Sequence, residues 1–431
     1  MRFLLGIVVI MMVCLTVFTL GAEVSTEQVS AKFKISFSQR FRFEGWDNAV
    51  GLDEDANDAS GYTRNRTSLA ALWNPSAHVE VMVKLTNEFR HYLVPKNKPF
   101  KIHEIFFDQL YVKWKNIGQS PLTLTVGRQN IMFGEGFVMM DGNALDGSRS
   151  LYFNALRADY QWSKNQRLTA FYSYQPVTDT ILPLINHQDQ PLVDQPEGAL
   201  GLYYTGLLKK TGIEAYFIHK YVDRTDKLPI ESGINTFGTR VQHSLLKDLS
   251  LTMEGAYQFG SYGAFDRSAL AGYGHLDYTL SNKVPLLRTL TLGGIYLGGD
   301  NPATAKMEGW DPVYSRWPKW SESYIYTLAK EHGVAYWSNL KTLYLSFLMD
   351  LTPGINLTMT YFRLGAVERG KGSFTGGAGK TRGDLIMGRV NMKINTFTTA
   401  HFIWEHFNPG DFYFTGADNS NWLRFEVMFQ L

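Results

Sequence analysis

The chain has 431 residues, a net charge of +2 and one cysteine, Cys14. The near-neutral charge gives no support to nucleic-acid binding, and a mature chain without Cys14 has no disulfide, thiolate metal site or catalytic thiol. Aromatic residues are abundant, with 28 Phe, 23 Tyr and 10 Trp beside 39 Gly, which favours many short strands joined by tight turns.

Residues 1–22 are predicted to be a secretory signal peptide. Arg2 precedes an uncharged apolar run over residues 3–20, and the small pair Gly21 and Ala22 follows it, which is the order of a cleavable signal. Because the run approaches the length that spans a bilayer, a transmembrane anchor is the competing interpretation. After cleavage, residues 23–431 would form one domain without Cys14.

The first mature segment, residues 32–44, has the alternation of a β-strand with one apolar face. Soluble sandwich strands are usually shorter, whereas a run of this length suits a tilted membrane strand. A Lys or Arg at the bilayer midplane costs roughly 2–4 kcal/mol, so the polar face must meet a wet interior. The apolar parity carries Phe33, Ile35, Phe37, Phe41 and Phe43, and the polar parity carries Lys34, Ser36, Ser38, Arg40, Arg42 and Glu44.

The same alternation recurs along the chain and predicts an all-β transmembrane antiparallel barrel of about 18 strands. The stretches near residues 287 and 337 alternate less cleanly, which leaves a range of 16–20 strands. Single-chain bacterial barrels have an even strand number, and a barrel this wide normally encloses an aqueous lumen. The predicted strands begin near residues 32, 62, 77, 104, 121, 151, 166, 198, 211, 233, 248, 268, 287, 337, 355, 383, 397 and 421.

The connections between predicted strands fall into two sizes. Short turns, such as residues 74–76 and 352–354, are predicted to be periplasmic, and long connections are predicted to be extracellular. The patterned last strand, residues 421–431, is expected to pair with the first so that no strand edge faces lipid. We therefore expect a Gram-negative outer membrane, with its lipid and lipopolysaccharide as surroundings and the barrel-assembly machinery as a partner during biogenesis. The long connections are residues 45–61, 128–150, 175–197, 299–336 and 365–382.

Projecting the polar parity inward predicts a lumen in which cations modestly outnumber acids. Guanidinium groups bind carboxylates bidentately, so an arginine-rich lumen favours an anionic solute. The alternative is that these charges are ordinary ion pairs that hold the wall together. The cations are Lys34, Arg40, Arg42, Arg64, Arg66, Lys84, Lys113, Arg157, Arg240, Arg389, Lys393 and Arg424, and the acids are Glu44, Glu80, Glu88, Asp159, Glu254, Glu405 and Glu426.

Arg128 breaks the pattern, because it shares the parity of the lipid-facing Leu124 and Val126. Either the strand has left the bilayer at that point, or a bulge turns the side chain inward. The acidic residues 141–146 lack the order of a calcium-binding EF-hand, so a plain turn is favoured there. The acidic loop 53–58 is interpreted as a solvated loop or a weak surface calcium site. No cofactor and no other metal site are predicted.

A loop rich in aromatic residues lies between the predicted strands near 287 and 337. Stacked aromatic rings could bind sugar faces while cations bind carboxylates, or the rings could form an interfacial girdle or a packed loop that closes the mouth. Both interpretations remain open. The residues are Trp310, Tyr314, Arg316, Trp317, Lys319, Trp320, Tyr324 and Tyr326.

Several segments together resemble the alginate export family of outer-membrane porins. They are residues 40–44, the Arg64–Arg66 pair, residues 126–149 and residues 310–320. The resemblance implies an 18-stranded barrel with an arginine-lined lumen that conducts an acidic polysaccharide or a smaller anion. Carried over by position, it implies pathway arginines at Arg66, Arg128, Arg149 and Arg157 and a constriction at Asp141 or Asp146.

The sequence therefore predicts an outer-membrane channel for a polar, anionic solute: an acidic polysaccharide, a uronate or a small organic anion. A general diffusion porin is the alternative. An outer-membrane hydrolase would need a Ser or Thr nucleophile beside a positioned His, and His219, His275 and His401 lie in no recognisable motif. A channel is thus predicted rather than an enzyme. An adhesin or assembly barrel would need a plug or an extra domain.

Overall fold

The computed structural model describes residues 32–49, 51–56, 59–94, 104–140, 152–189, 191–280, 284–315, 320–321, 338–370 and 372–431. The predicted signal peptide lies outside these residues. Short 3₁₀ turns occur at Glu54–Ala56 and Ile117–Gln119, and a four-residue helix at Gly372–Thr375. No helix in the described ranges is long and apolar enough to cross a membrane.

Eighteen antiparallel strands form one closed sheet in sequence order, and β1 pairs with β18 to complete the ring. The predicted barrel is confirmed, and every predicted strand start lies within three residues of the observed one. The strands are β1 Phe33–Asp47, β2 Ser60–Ser76, β3 Val79–Val94, β4 Ile105–Trp114, β5 Leu122–Gln129, β6 Phe153–Ser163, β7 Gln166–Gln175, β8 Glu197–Leu208, β9 Thr211–Val222, β10 Ser232–Leu246, β11 Leu249–Tyr262, β12 Phe265–Thr279, β13 Leu287–Leu297, β14 Leu340–Thr352, β15 Ile355–Gly365, β16 Thr381–Lys393, β17 Thr398–Pro409 and β18 Ser420–Gln430.

The two faces of each strand differ in the way that the alternation predicts. On β1, Phe41 is 50% exposed, whereas Arg40 and Arg42 on the opposite face are each 2% exposed. Successive side chains point to opposite faces of a strand, so the exposed apolar parity is the outer surface and the charged parity is the lumen. Exposed outer aromatics cluster near both ends of the barrel, as in the interfacial girdles of membrane barrels: Phe33, Trp73, Trp114, Trp162 and Tyr278 at one end, and Tyr172, Tyr257, Phe259, Tyr296 and Tyr361 at the other.

The two ends of the barrel differ in their connections. The connections from even-numbered to odd-numbered strands are short, and this end is called the short-turn end. All five predicted long connections lie at the opposite, long-loop end. The predicted turn at residues 74–76 is displaced: β2 continues to Ser76, the register shifts after Trp73, and the turn lies at residues 77–78. Pro75 has no N–H for the ladder, so it is tolerated at this irregularity.

Two segments from the long-loop end fold into the barrel. Phe133 stacks on Tyr203 of β8 with ring centroids 4.1 Å apart, and Phe137 stacks on Trp310 of the β13–β14 connection. The β13–β14 connection also reaches across the lumen: Trp320 contacts the ring of Tyr273 on β12, and the hydroxyl of Ser321 donates to Glu405 on β17, 2.7 Å away. An apolar core inside the barrel, with members on strands from β6 to β17, therefore narrows the lumen.

Candidate functional site

Arginines cluster on the lumenal face where the barrel closes, on β1, β2 and β18. Arg40 lies directly across from Arg66, and Arg42 directly across from Arg64. Like charges directly opposite each other destabilise a sheet, so this arrangement requires nearby carboxylates. We call the cluster the arginine seam; it comprises Arg40, Arg42, Arg64, Arg66 and Arg424 with the acids Glu44, Glu88 and Glu426.

Glu44 is the acceptor that three seam arginines share. Its carboxylate lies 2.9 Å from Arg64 Nη1, 2.6 Å from Arg424 Nη2 and 3.4 Å from Arg42 Nη1. The hydroxyl of Tyr62 donates a further hydrogen bond to it at 2.6 Å. Because the carboxylate is fully buried, it depends on these donors in place of water.

Other seam arginines are paired with Glu426 and Glu88. Arg42 Nε lies 2.5 Å from Glu426, and Arg66 forms an ion pair with Glu88. Arg40 differs, since its guanidinium lies 3.9 Å from each of these two carboxylates and makes no hydrogen bond within the described part of the chain. Among the described residues of the seam, five arginines thus face three carboxylates.

The seam corrects one expectation. Sequence reasoning placed these arginines on an open, water-filled wall, but all five are buried. The physical reason is the register: neighbouring strands bring carboxylates to the same height, and charges removed from water persist only when they are paired. For Arg42, Arg64 and Arg424, the interpretation as ion pairs that hold the wall together describes what the structure contains.

Arg128 points inward because of a backbone irregularity at Gly127, whose φ is +121°. Both Arg128 and Gln129 are consequently buried. The pairing of β5 with β4 and β6 continues through Gly127 without a register shift, so the change occurs in the backbone angles of Gly127 and not at a bulge with an extra residue. The guanidinium forms a bidentate ion pair with Asp179, at 2.7 and 2.9 Å, and lies 3.7 Å from the centroid of the Tyr152 ring. Arg128 also donates to Asn154 and to the carbonyl of Phe107, so its donors are largely taken up within the protein.

We expect Gly127→Ala to destabilise the barrel. A Cβ at this position would lie 2.2 Å from the carbonyl oxygen of Leu110, and the positive φ is one that side chains other than glycine rarely adopt. Strain of this kind costs about 1–3 kcal/mol. The measurement is the denaturant midpoint in lipid vesicles, with Gly255→Ala as the control because a Cβ there has open space. Equal midpoints for the two variants would contradict the role assigned to Gly127.

A polar cavity of about 360 Å³ lies against the lumenal faces of β4–β7, and we call it the β4–β7 cavity. It extends from Lys115, next to the short-turn end, to Asn130, where the chain leaves β5. Four cations and one carboxylate line it, together with amide and hydroxyl groups. The lining comprises Gln109, Tyr111, Lys113, Lys115, Thr123, Thr125, Gln129, Asn130, Arg157, Asp159, Gln161 and Arg167.

The cations of this cavity keep exposed surface, unlike those of the seam. The side chains of Arg157 and Arg167 are 21% and 41% exposed, and both lie near Asp159, at 2.9 and 3.9 Å. Lys113 and Lys115 share Glu80, at 2.7 and 2.8 Å. Lys113 and Arg157 were predicted from parity. Lys115 and Arg167 were missed, because Lys115 follows the end of β4 and β7 carries apolar residues on both faces.

The remaining lumenal charges form smaller clusters. Lys84 forms an ion pair with Asp108 at 2.5 Å. Arg240 lies 2.8 Å from Glu214 and 3.0 Å from Glu135, which the segment after β5 carries inward. No parity argument could identify Glu135 or Asp108, since one lies in a connection and the other at a register shift.

The other predicted residues have mixed outcomes. Arg389 donates to Asn391 at 2.9 Å and is half-buried. Trp310 is 1% exposed, so the packed-loop alternative describes this residue and it offers no free face to a sugar. Within the described residues, no group of three or more His, Cys, Asp or Glu side chains could hold a metal ion. Asp141, Asp146, Arg149, Arg316 and Trp317 lie outside the described residues.

A closed barrel with an apolar outer surface, aromatic girdles and a charged lumen is an outer-membrane channel of the porin type. The chain belongs to the alginate export family, whose sequence model matches residues 29–425. The resemblance seen in the sequence is thereby confirmed, as are the outer-membrane location and the assignment as a channel rather than an enzyme. No curated protein matches the chain.

Solved porin structures share the fold at low sequence identity. A BenF-like porin from Pseudomonas fluorescens Pf-5 superimposes with a TM-score of 0.60 at 12% identity, over 93% of this chain and 98% of that one. Pseudomonas aeruginosa OccK2 (OpdF), solved in complex with glucuronate, gives 0.57 at 12% identity over 93% and 98%. P. aeruginosa OpdK, solved with vanillate, gives 0.55 at 9% identity over 92% and 98%.

Proposed function

We propose that this channel passes small anionic solutes, and that hydroxylated carboxylates such as uronates are its preferred class. The observation that carries the proposal is the β4–β7 cavity, in which four partly exposed cations accompany amide and hydroxyl groups. Guanidinium and ammonium groups bind carboxylates, and the amides and hydroxyls can exchange hydrogen bonds with a sugar. Glucuronate and vanillate, bound by two proteins of the same fold, both carry a carboxylate.

The seam supports the same sign of selectivity. Its described residues include five arginines and three acids, and Arg40 lies at ion-pair distance from two carboxylates without a hydrogen bond to either. Arginines directly opposite each other lower the stability of a sheet, so stability does not explain why they are paired here. A lumenal wall this rich in arginine raises the local concentration of anions, which favours the same class of solute.

The inward segments favour a small solute over a polymer. The connection between β13 and β14 contacts both β12 and β17, and the segment after β5 packs on β8. A threading acidic polysaccharide needs the passage open along the whole lumen at one time, whereas a monosaccharide acid can cross in steps from one site to the next. We therefore place uronates and small organic anions ahead of acidic polysaccharide.

The test is conduction of the purified protein in a planar bilayer under a KCl gradient. We expect a zero-current potential of the sign that reports chloride preference. Glucuronate should reduce the chloride current at concentrations where glucose has no effect, since the two solutes differ by one carboxylate. A longer oligouronate should block without crossing. A cation-selective pore would refute the proposal, and equal effects of glucuronate and glucose would favour a general diffusion porin.

A further inference from the structure

The outer surface of the barrel carries an isolated pair of cations, Lys341 on β14 and Arg363 on β15. At the long-loop end, they are the only exposed Lys or Arg residues on the outward parity of the described strands, since Arg128 and Arg382 share that parity but are buried. The other exposed strand cations lie on the lumenal parity, except Arg288, which lies at a register shift at the short-turn end and pairs with Asp350. Cations that face lipid are unfavourable, so the pairing of two of them at one place calls for an explanation.

The two side chains lie next to each other, close to the barrel rim. Lys341 is the second residue of β14, and Arg363 lies two residues before the end of β15. Lys341 is directly across from Gly365, and its Cε lies over this glycine, 3.3 Å from the place that a Cβ would take. Two residues correspond to roughly 7 Å of strand, which puts both cations at the level of lipid headgroups.

Asp384 of β16 orients the arginine without covering it. Its carboxylate lies 2.6 Å from Arg363 Nη1 and accepts a hydrogen bond from Tyr361 at 2.5 Å. The side chain of Arg363 is still 57% exposed, so most of its donors face outward. Because Asp384 holds one side of the guanidinium in place, the N–H donors on its other side are already oriented to bind an anion.

The adjoining connection adds further positive charge. Arg369 is exposed, and Lys380 donates to the carbonyl of Val367 and to Glu368. Together with Lys341 and Arg363, these residues supply four cations against the three acids Asp384, Glu368 and Asp411. Leu343, which lies directly across from Arg363 and two residues closer to the bilayer centre than Lys341, is 69% exposed, and Tyr361, two residues closer to the centre than Arg363, is 46% exposed. A net positive patch thus lies directly above an apolar surface.

We propose that this patch binds a phosphorylated lipid of the outer leaflet, with its phosphate at Lys341 and Arg363 and its acyl chains against Leu343 and Tyr361. Phosphate oxygens accept charge-assisted hydrogen bonds from both kinds of cation, and basic residues at a membrane surface attract anionic headgroups. The vertical order of charge above and apolar surface below matches the order of headgroup and chain. At the short-turn end, Arg288 lies 3.0 Å from Asp350 and has no neighbouring lysine in the described strands.

The test compares lipid binding by Lys341→Gln/Arg363→Gln with that by the control Arg288→Gln. The control removes an exposed arginine that is also paired with an aspartate, but at the other end of the barrel. Each protein in detergent is titrated with diphosphorylated lipid A, and bound lipid is counted by native mass spectrometry. We expect the double variant to bind at least about tenfold more weakly than the parent, and the control to match the parent.

Two further measurements test whether the patch recognises the phosphate group of the lipid. Dephosphorylated lipid A should bind as weakly to the parent as intact lipid A binds to the double variant, and inorganic phosphate at the same concentration should not compete. Equal binding of intact and dephosphorylated lipid, or unchanged binding by the double variant, would overturn the proposal, and so would full competition by phosphate. If the double variant fails to fold, Lys341→Gln alone replaces it, with a smaller loss of binding as the expected result.

Discussion

Replacing Arg157 and Arg167 together with glutamate should turn the pore from anion preference to cation preference. Both side chains line the β4–β7 cavity and retain exposed surface, so a passing ion comes within a few ångströms of them. The double substitution changes the local charge by four units, since each residue goes from positive to negative. One unit charge about 4 Å from an ion in water contributes about 1 kcal/mol, or a factor of roughly five. The chloride-to-potassium permeability ratio should therefore fall by at least about fivefold.

The measurement is the zero-current potential under a KCl gradient, with heat modifiability on gels as a check that the barrel has folded. Arg288→Glu is the control, because this arginine lies at the short-turn end on β13, outside the β4–β7 cavity, in an exposed pair with Asp350. It should leave the potential unchanged. A folded double variant with the parent's potential would show that ions pass elsewhere in the lumen. Arg66→Glu is a poorer probe, since it would leave Glu88 facing a second carboxylate.

Glu44→Gln should cost the barrel about 3–5 kcal/mol of stability, the range for removing one partner from a buried ion pair. The amide keeps the shape of the side chain but takes away the negative charge that Arg42, Arg64 and Arg424 all contact. Three guanidinium groups then lie close together with less negative charge to offset their repulsion. The free energy of unfolding from denaturant titration in lipid vesicles measures the effect.

The matched comparison for Glu44 is Asp350→Asn. Asp350 also pairs with an arginine, but its side chain is 49% exposed and that of Arg288 is 43% exposed. An exposed pair of this kind contributes about 0–1 kcal/mol. Similar losses for the two variants would mean that the seam is hydrated, and would contradict the burial on which the prediction depends.

The alternation of the sequence predicted the barrel well, because a period of two residues determines which face a side chain joins. Arg40 and Lys113 were therefore placed on the correct face without a structure. Parity does not give the height of a residue in the wall or the identity of its cross-strand neighbours. Arg40 and Lys113 look alike in the sequence, yet one is buried between Glu88 and Glu426 and the other borders an open cavity.

The features that the sequence did not predict depend on irregular backbone and on long connections. Arg128 turns inward only because Gly127 departs from strand geometry, and its partner Asp179 lies in the connection after β7. Glu135 and Trp310 reach the lumen within connections that have no periodicity to interpret. Their positions follow from packing between segments far apart in the chain, which a local pattern does not contain.

The arginine seam also determines how the ring can close. In the observed register, Arg42 meets Glu426 and Glu44 meets Arg424. A slip of one residue would turn the apolar face inward. A slip of two residues keeps the faces but brings Arg42 opposite Arg424 in one direction and Glu44 opposite Glu426 in the other, and like charges then repel. These four charges therefore disfavour the shifted pairings of β1 with β18. The first and last strands of the 431-residue chain thus contain the residues that select the correct register when the barrel closes.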